Sequence, residues 1–89
     1  MAEIQLQIRN QLGLHARACA LFVKTASRFK SEVMVWRDGL EVNGKSIMGV
    51  MMLGAEEGST IVVKGVGADE GDVLAALQEL VDGKFGGEP

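Results

Sequence analysis

The chain holds one histidine, His15, inside the stretch Gly13-Leu14-His15-Ala16-Arg17-Ala18-Cys19-Ala20. Apolar residues then recur at Cys19, Phe22, Val23, Ala26 and Phe29, a helical period that places His15 at or beside a helix N-terminus. The opening N–H groups of a helix lack partners and its dipole is positive there, so an anion is stabilised at that end. The same field works against a cationic ring. A neutral imidazole keeps a lone pair that can attack an electrophile, and a phosphoryl group acquired in this way would lie against the helix amides. Arg17 can fork its guanidinium onto the same oxygens. The stretch therefore has the parts of a phosphohistidine site.

Other readings of these residues exist. A lone histidine before a helix serves most often as a surface or capping residue. A metal site needs three or four ligands, and there is no second histidine. His15 and Cys19 stand four apart and could form a nucleophilic pair, but Cys19 lies on the apolar stripe with Phe22, Val23 and Ala26, which favours a buried inert thiol.

Composition bounds the rest. The chain has 89 residues, 47% of them hydrophobic, enough for one domain, residues 1–89, around one modest core. No stretch approaches the roughly 18 uninterrupted apolar residues of a membrane helix, and Met-Ala-Glu lacks the basic-then-apolar order of a signal peptide. With a single cysteine no internal disulfide forms, and a cytoplasmic location without membrane insertion is expected. The net charge of −3 argues against a nucleic-acid partner. The charge is uneven: residues 1–54 carry seven Lys/Arg against four acids, and residues 55–89 carry two against eight. The half holding His15 suits acidic protein partners or a phosphate-bearing group, although a solvated surface accounts for such charges equally well.

The elements that must position His15 follow in order. Glu3 to Arg9 alternates polar and apolar, predicting a strand with Ile4, Leu6 and Ile8 on its covered face. A helix from about Ala16 to Arg28 turns Arg17, Leu21, Lys24 and Arg28 outward. Strand Glu32–Arg37 meets Asp38-Gly39, a hairpin dipeptide, and returns as Leu40–Val42. After Asn43-Gly44, Ser46 fits an N-cap and Gly54 a C′ residue for a short helix over Ile47–Leu53. Six of those seven helical residues are apolar, so this helix is either buried all round or a docking surface of adaptable methionines. Thr60–Val66 reads as a central strand. Asp69 fits the N-cap of a last helix with Asp72 in its first turn and Val73, Leu77, Leu80 and Val81 inward. Gly83 to Pro89 is expected to fray as a flexible tail. The order β-α-β-β-α-β-α with one-sided strands implies an α+β fold, an open-faced β-sandwich whose four-stranded antiparallel sheet carries three helices on one face.

Gly13-Leu14-His15-Ala16-Arg17 and Asn43-Gly44-Lys45-Ser46-Ile47-Met48-Gly49-Val50-Met51, in a chain of this length and order, resemble the HPr family, the histidine-containing phosphocarriers of the bacterial phosphotransferase system. The resemblance covers residues 2–82. It implies a stoichiometric carrier rather than an enzyme: enzyme I, phosphorylated by phosphoenolpyruvate, passes the group to Nδ1 of His15, and the phosphohistidine gives it to an enzyme IIA domain. Arg17 is then the phosphate-stabilising partner. Ser46 corresponds to the serine phosphorylated by HPr kinase/phosphorylase in many bacteria, and Leu21, Lys24, Ile47, Met48 and Met51 belong to a shared docking face. No metal or other cofactor is implied, and a monomer is expected. One departure stands out: the family usually has proline where this chain has Ala18, which loosens the first helical turn without removing a reactive atom. Two other functions compete, a regulatory adaptor that binds partner enzymes without obligatory phosphotransfer and a small ligand- or RNA-binding α+β module. The second lacks the exposed aromatics and basic charge that such a sheet requires.

Overall fold

The computed structural model describes residues 1–87, and these form β1 (Ala2–Gln7), α1 (Ala16–Ala26), β2 (Glu32–Arg37), β3 (Leu40–Asn43), α2 (Ile47–Met52), β4 (Thr60–Val66), α3 (Glu70–Asp82) and a short turn α4 (Lys84–Gly87). The strands make one antiparallel sheet in the order β1-β4-β2-β3, with β4 inserted between β1 and β2. The register turns the alternation in the sequence into two faces. Ile4, Val63, Val35 and Val42 stand in one row across all four strands, and Leu6 faces Ile61 beside them. The neighbouring row, Gln5, Val62, Trp36 and Glu41, belongs to the uncovered face.

The helices cover the apolar face. α3 packs on β1 and β4, α2 on β3, and α1 against both α2 and α3. From α1, Ala18, Cys19, Phe22 and Ala26 enter the core; from α3, Val73, Leu74, Leu77 and Val81 do so. Each fully buried side chain of the Val, Leu or Phe class contributes about 1.5–3 kcal/mol, so this interior fixes where the helix ends can point. The open-faced α+β sandwich expected from the sequence is the observed architecture. Asp38 and Gly39, at φ 50° and 84°, make the tight hairpin between β2 and β3. Asn43 Oδ1 accepts the Lys45 N–H at 2.8 Å, and a Cβ on Gly44 would lie 2.5 Å from Val33 Cγ1.

Four expectations need correction. β1 stops at Gln7 because Ile8 leaves the ladder and instead donates to Ser59 O and accepts from Gly58 N–H, both at 2.8 Å. α1 ends at Ala26, where Arg28 and Phe29 bond three residues back and tighten the exit. Asp69 is the N-cap residue of α3 as expected, its carbonyl accepting the Val73 N–H at 3.1 Å, but its side chain makes no capping bond. Its carboxylate instead accepts from Lys30 N–H at 2.9 Å, from Ser31 N–H at 2.8 Å and from the Ser31 hydroxyl, because the turn before β2 offers three donors together. The tail does not fray as far as Gly87: Phe85 is only 2% exposed, and burial of its ring outweighs a left-handed backbone that Gly86 and Gly87 adopt without penalty. Glu88 and Pro89, the rest of the expected tail, lie outside the described residues.

Candidate functional site

His15 is held from behind. Gly13, at φ 66°, is pressed against the chain leaving α2: a Cβ there would run into the Ala55 carbonyl oxygen and lie 2.8 Å from Glu56 Cα. Leu14 N–H donates to Ala55 O at 2.9 Å, Asn10 Nδ2 donates to Gly13 O at 2.7 Å, and Leu14 is buried. Only glycine meets both the positive φ and the close approach, which is why the loop places its histidine reproducibly.

His15 is the N-cap residue of α1, with an extended backbone (φ −77°, ψ 175°) whose carbonyl accepts the first helical bond from Cys19 N–H at 2.9 Å. Its side chain makes no capping bond. The ring is half-buried, and its Nε2 is sealed from solvent with no hydrogen-bond partner among the described residues. Buried polar atoms without partners are rare and concentrate at functional sites. The first turn of α1 has no acidic residue, so the positive end of the helix is not neutralised from within. Arg17 stands in that turn with an exposed side chain.

Cys19 does not join this chemistry. Its thiol is buried, Sγ donates to Leu14 O at 3.2 Å, and burial pushes its pKa up to about 11, far from the thiolate a nucleophile needs. Ala18 is fully buried as the third residue of the helix.

Ser46 takes the role expected of an N-cap, its Oγ accepting the Gly49 N–H at 3.1 Å. Of α2 only Val50 is buried: Met48 is 77% exposed and Met52 67%, with Ile47 and Met51 also outward. The alternative of an all-buried helix is thereby excluded. α2 lies against α1, on whose outer side Leu21 is half-buried and Lys24 exposed. Ala55, which anchors the His15 loop, follows the C-terminal end of α2, whereas Ser46 caps its other end, one six-residue helix away. One exposed apolar residue beside the site lies outside the sequence reading: Leu12, 61% exposed on the loop before His15, belongs to no periodic face, and apolar type is its only signal. A groove of about 480 Å³, lined by Thr25, Arg28 and Leu80 among others, lies at the opposite end of α1 from His15.

Comparison with known proteins agrees with this geometry. A family model described as PTS HPr component phosphorylation site matches residues 2–82. The chain is 51% identical over 86 residues to the phosphocarrier protein HPr of Neisseria meningitidis, covering 97% of each. It is 44% identical over 82 residues to the HPr-like protein Crh of Halalkalibacterium halodurans, covering 92% of this chain and 98% of that one. Among solved structures, HPr-C-His from Thermoanaerobacter tengcongensis superposes with a TM-score of 0.95 at 46% identity, covering 100% of both chains. An apolar-faced sheet, a histidine at an uncompensated helix mouth and these likenesses lead to one conclusion: the chain belongs to the HPr family of phosphocarrier proteins.

Proposed function

We propose that His15 accepts a phosphoryl group from phosphorylated enzyme I and passes it to enzyme IIA domains. The Nδ1 lone pair forms the new P–N bond as the bond to enzyme I breaks, and the reverse exchange delivers the group downstream. The observation that carries this reading is the half-buried N-cap ring itself, placed at the mouth of α1, whose first turn holds no acidic residue. Arg17 and the helix amides hold the transferred oxygens through charge-assisted bonds of about 1.5–3 kcal/mol each, firm enough to keep the group and weak enough to release it. Among the described residues this surface carries no general base or nucleotide-binding loop, so in this proposal the partners supply the catalysis and the chain acts stoichiometrically; a cytoplasmic monomer is part of the same proposal.

The docking face in this proposal comprises Leu21, Lys24, Ile47, Met48 and Met51, a mixed apolar and basic surface suited to acidic partners. Ser46, the cap of α2, is the modification site for HPr kinase/phosphorylase: a phosphate there adds about −1.5 to −2 charge beside the docking methionines and lowers affinity for enzyme I. The test is incubation with enzyme I and phosphoenolpyruvate followed by intact-mass measurement. One acid-labile phosphoryl group appears on the wild-type chain and none on His15→Ala; uptake by His15→Ala, or none by the wild type, defeats the reading.

A further inference from the structure

Asn10 is only 1% exposed, an unusual place for an asparagine on a loop whose next two residues, Gln11 and Leu12, face solvent. It takes both hydrogen-bonding groups of Gly13. Its carbonyl accepts the Gly13 N–H at 3.1 Å, closing a four-residue turn, and its Nδ2 donates to Gly13 O at 2.7 Å. The same Gly13 oxygen accepts the His15 backbone N–H at 2.9 Å, in a three-residue turn about Leu14. One carbonyl therefore joins the buried carboxamide to the backbone of the histidine. The ring makes no capping bond, and its Nε2 has no partner among the described residues, so its aim depends on the backbone behind it.

We infer that Asn10 is a positioning residue for phosphoryl transfer: its Nδ2–H fixes the direction of the Gly13 carbonyl, which fixes the His15 amide and with it the Cα–Cβ bond that carries the ring. This rests on His15 being the phosphoacceptor. The site dictates the residue type. Gly13 O needs a donor, whereas aspartate, of the same shape, sets a negative oxygen against it in a place closed to water. Alanine leaves Gly13 O with the His15 N–H alone, at a residue whose backbone is the most permissive of all. Transfer needs the attacking nitrogen in a narrow range of positions, so a ring displaced by about 1 Å loses about 100-fold in rate. Asn10 lies outside the docking surface proposed on α1 and α2, so binding of the partner is not what its loss changes.

Phosphoryl transfer from enzyme I to Asn10→Ala and Asn10→Asp, each beside the wild-type chain, tests this. Both variants lower kcat about 10- to 100-fold and leave KM for the carrier within about twofold. Asp69→Asn, which weakens the contact between α3 and the turn before β2, is the control for stability: it transfers at the wild-type rate. Nuclear magnetic resonance relaxation of the ¹⁵N-labelled chains shows a lower order parameter at the His15 amide in Asn10→Ala and not in Asp69→Asn. Should neither Asn10 variant fold, the wild-type chain decides: a coupling across the hydrogen bond from Asn10 Nδ2 to the Gly13 carbonyl carbon, with a rigid His15 amide, supports the inference, and absence of either overturns it. A kcat changed less than about twofold in both Asn10 variants, a loss confined to KM, or an equal loss of kcat in Asp69→Asn overturns the inference and leaves the carrier reading intact. Failure of the wild-type chain to take up phosphate overturns both.

Discussion

Two helix N-termini in this molecule face the same electrostatic problem and solve it in opposite ways. α3 opens with Asp69, Glu70 and Asp72. Glu70 accepts the Gly67 N–H at 3.2 Å and pairs with the Met1 ammonium at 3.2 Å, while Asp69 binds the turn before β2. α1 opens with His15, Ala16, Arg17 and Ala18, no acid and no side-chain cap. Where a helix end serves architecture alone, the chain brings its own negative charge to it. Where, on the function proposed for His15, the end receives charge from another molecule, the chain leaves the positive pole without an acid and places Arg17 in the first turn. α2 lies between the two: Ser46 caps it with a neutral hydroxyl, which the proposed phosphorylation would convert to the charged kind.

The comparison breaks most severely if the mouth of α1 loses its seat. Gly13→Ala forces a side chain into a left-handed backbone and against Ala55 O, and should cost about 2–4 kcal/mol of stability with loss of phosphate uptake, read by thermal melting and by transfer from enzyme I. A variant as stable and as active as the wild type would show that the loop does not position the ring.

Next comes a transplant of the α3 solution onto α1. Ala16 is exposed at the first helical position, so Ala16→Asp should leave the fold intact, or raise stability by about 0.3–1 kcal/mol through the helix dipole. Phosphate uptake should fall about 10- to 100-fold, because a fixed negative charge now meets the incoming phosphoryl oxygens. Undiminished uptake would mean that an open positive pole is not what the site exploits.

α2 offers the intermediate case. Ser46→Ala removes the bond to Gly49 N–H and should cost about 1 kcal/mol. Ser46→Asp keeps a capping oxygen and the fold but should slow acceptance from enzyme I about tenfold by placing charge beside the methionine surface. Equal transfer by Ser46→Asp and the wild type would remove Ser46 from regulation.

Much of this was legible in the chain because it depends on local rules. The alternation in β1 and β4, the Asp38-Gly39 hairpin, Ser46 as a cap and Gly54 at φ 60° after α2 each follow from backbone chemistry within a few residues. The mouth of α1 was readable for the same reason: His15 precedes a periodic stripe. What escaped was set by contacts distant in sequence. Asp69 is the N-cap residue that the sequence suggests, yet its carboxylate turns away from the helix once the Lys30-Ser31 turn, nearly forty residues earlier, is folded beside it. The glycine-rich end looks frayed until a hydrophobic gap receives Phe85. The sequence left open whether α2 is core or surface; packing decided it, with one side resting on α1 and β3 and the methionines left outward.

The smallest effect is at α3, and pH reveals it. Three donors hold the Asp69 carboxylate in its ionised form, the Ser31 hydroxyl first, then the Lys30 and Ser31 amides, and its pKa falls from 3.8 to about 2. The folded state therefore binds this proton more weakly than the unfolded chain does. The stabilisation is fully present above about pH 4 and drains away as the pH falls toward 2. Asp69→Asn should be less stable than the wild type at neutral pH, and the gap should close across that window, because the amide has no proton to gain. Glu70, lowered by the Gly67 N–H and then by the Met1 ammonium, adds a slope of its own that both proteins share. Melting temperatures of the two proteins from pH 6 to pH 2 decide the matter. A gap that stays constant over the range would mean that Asp69 holds α3 by shape rather than by charge, and the contrast with α1 would lose its electrostatic basis.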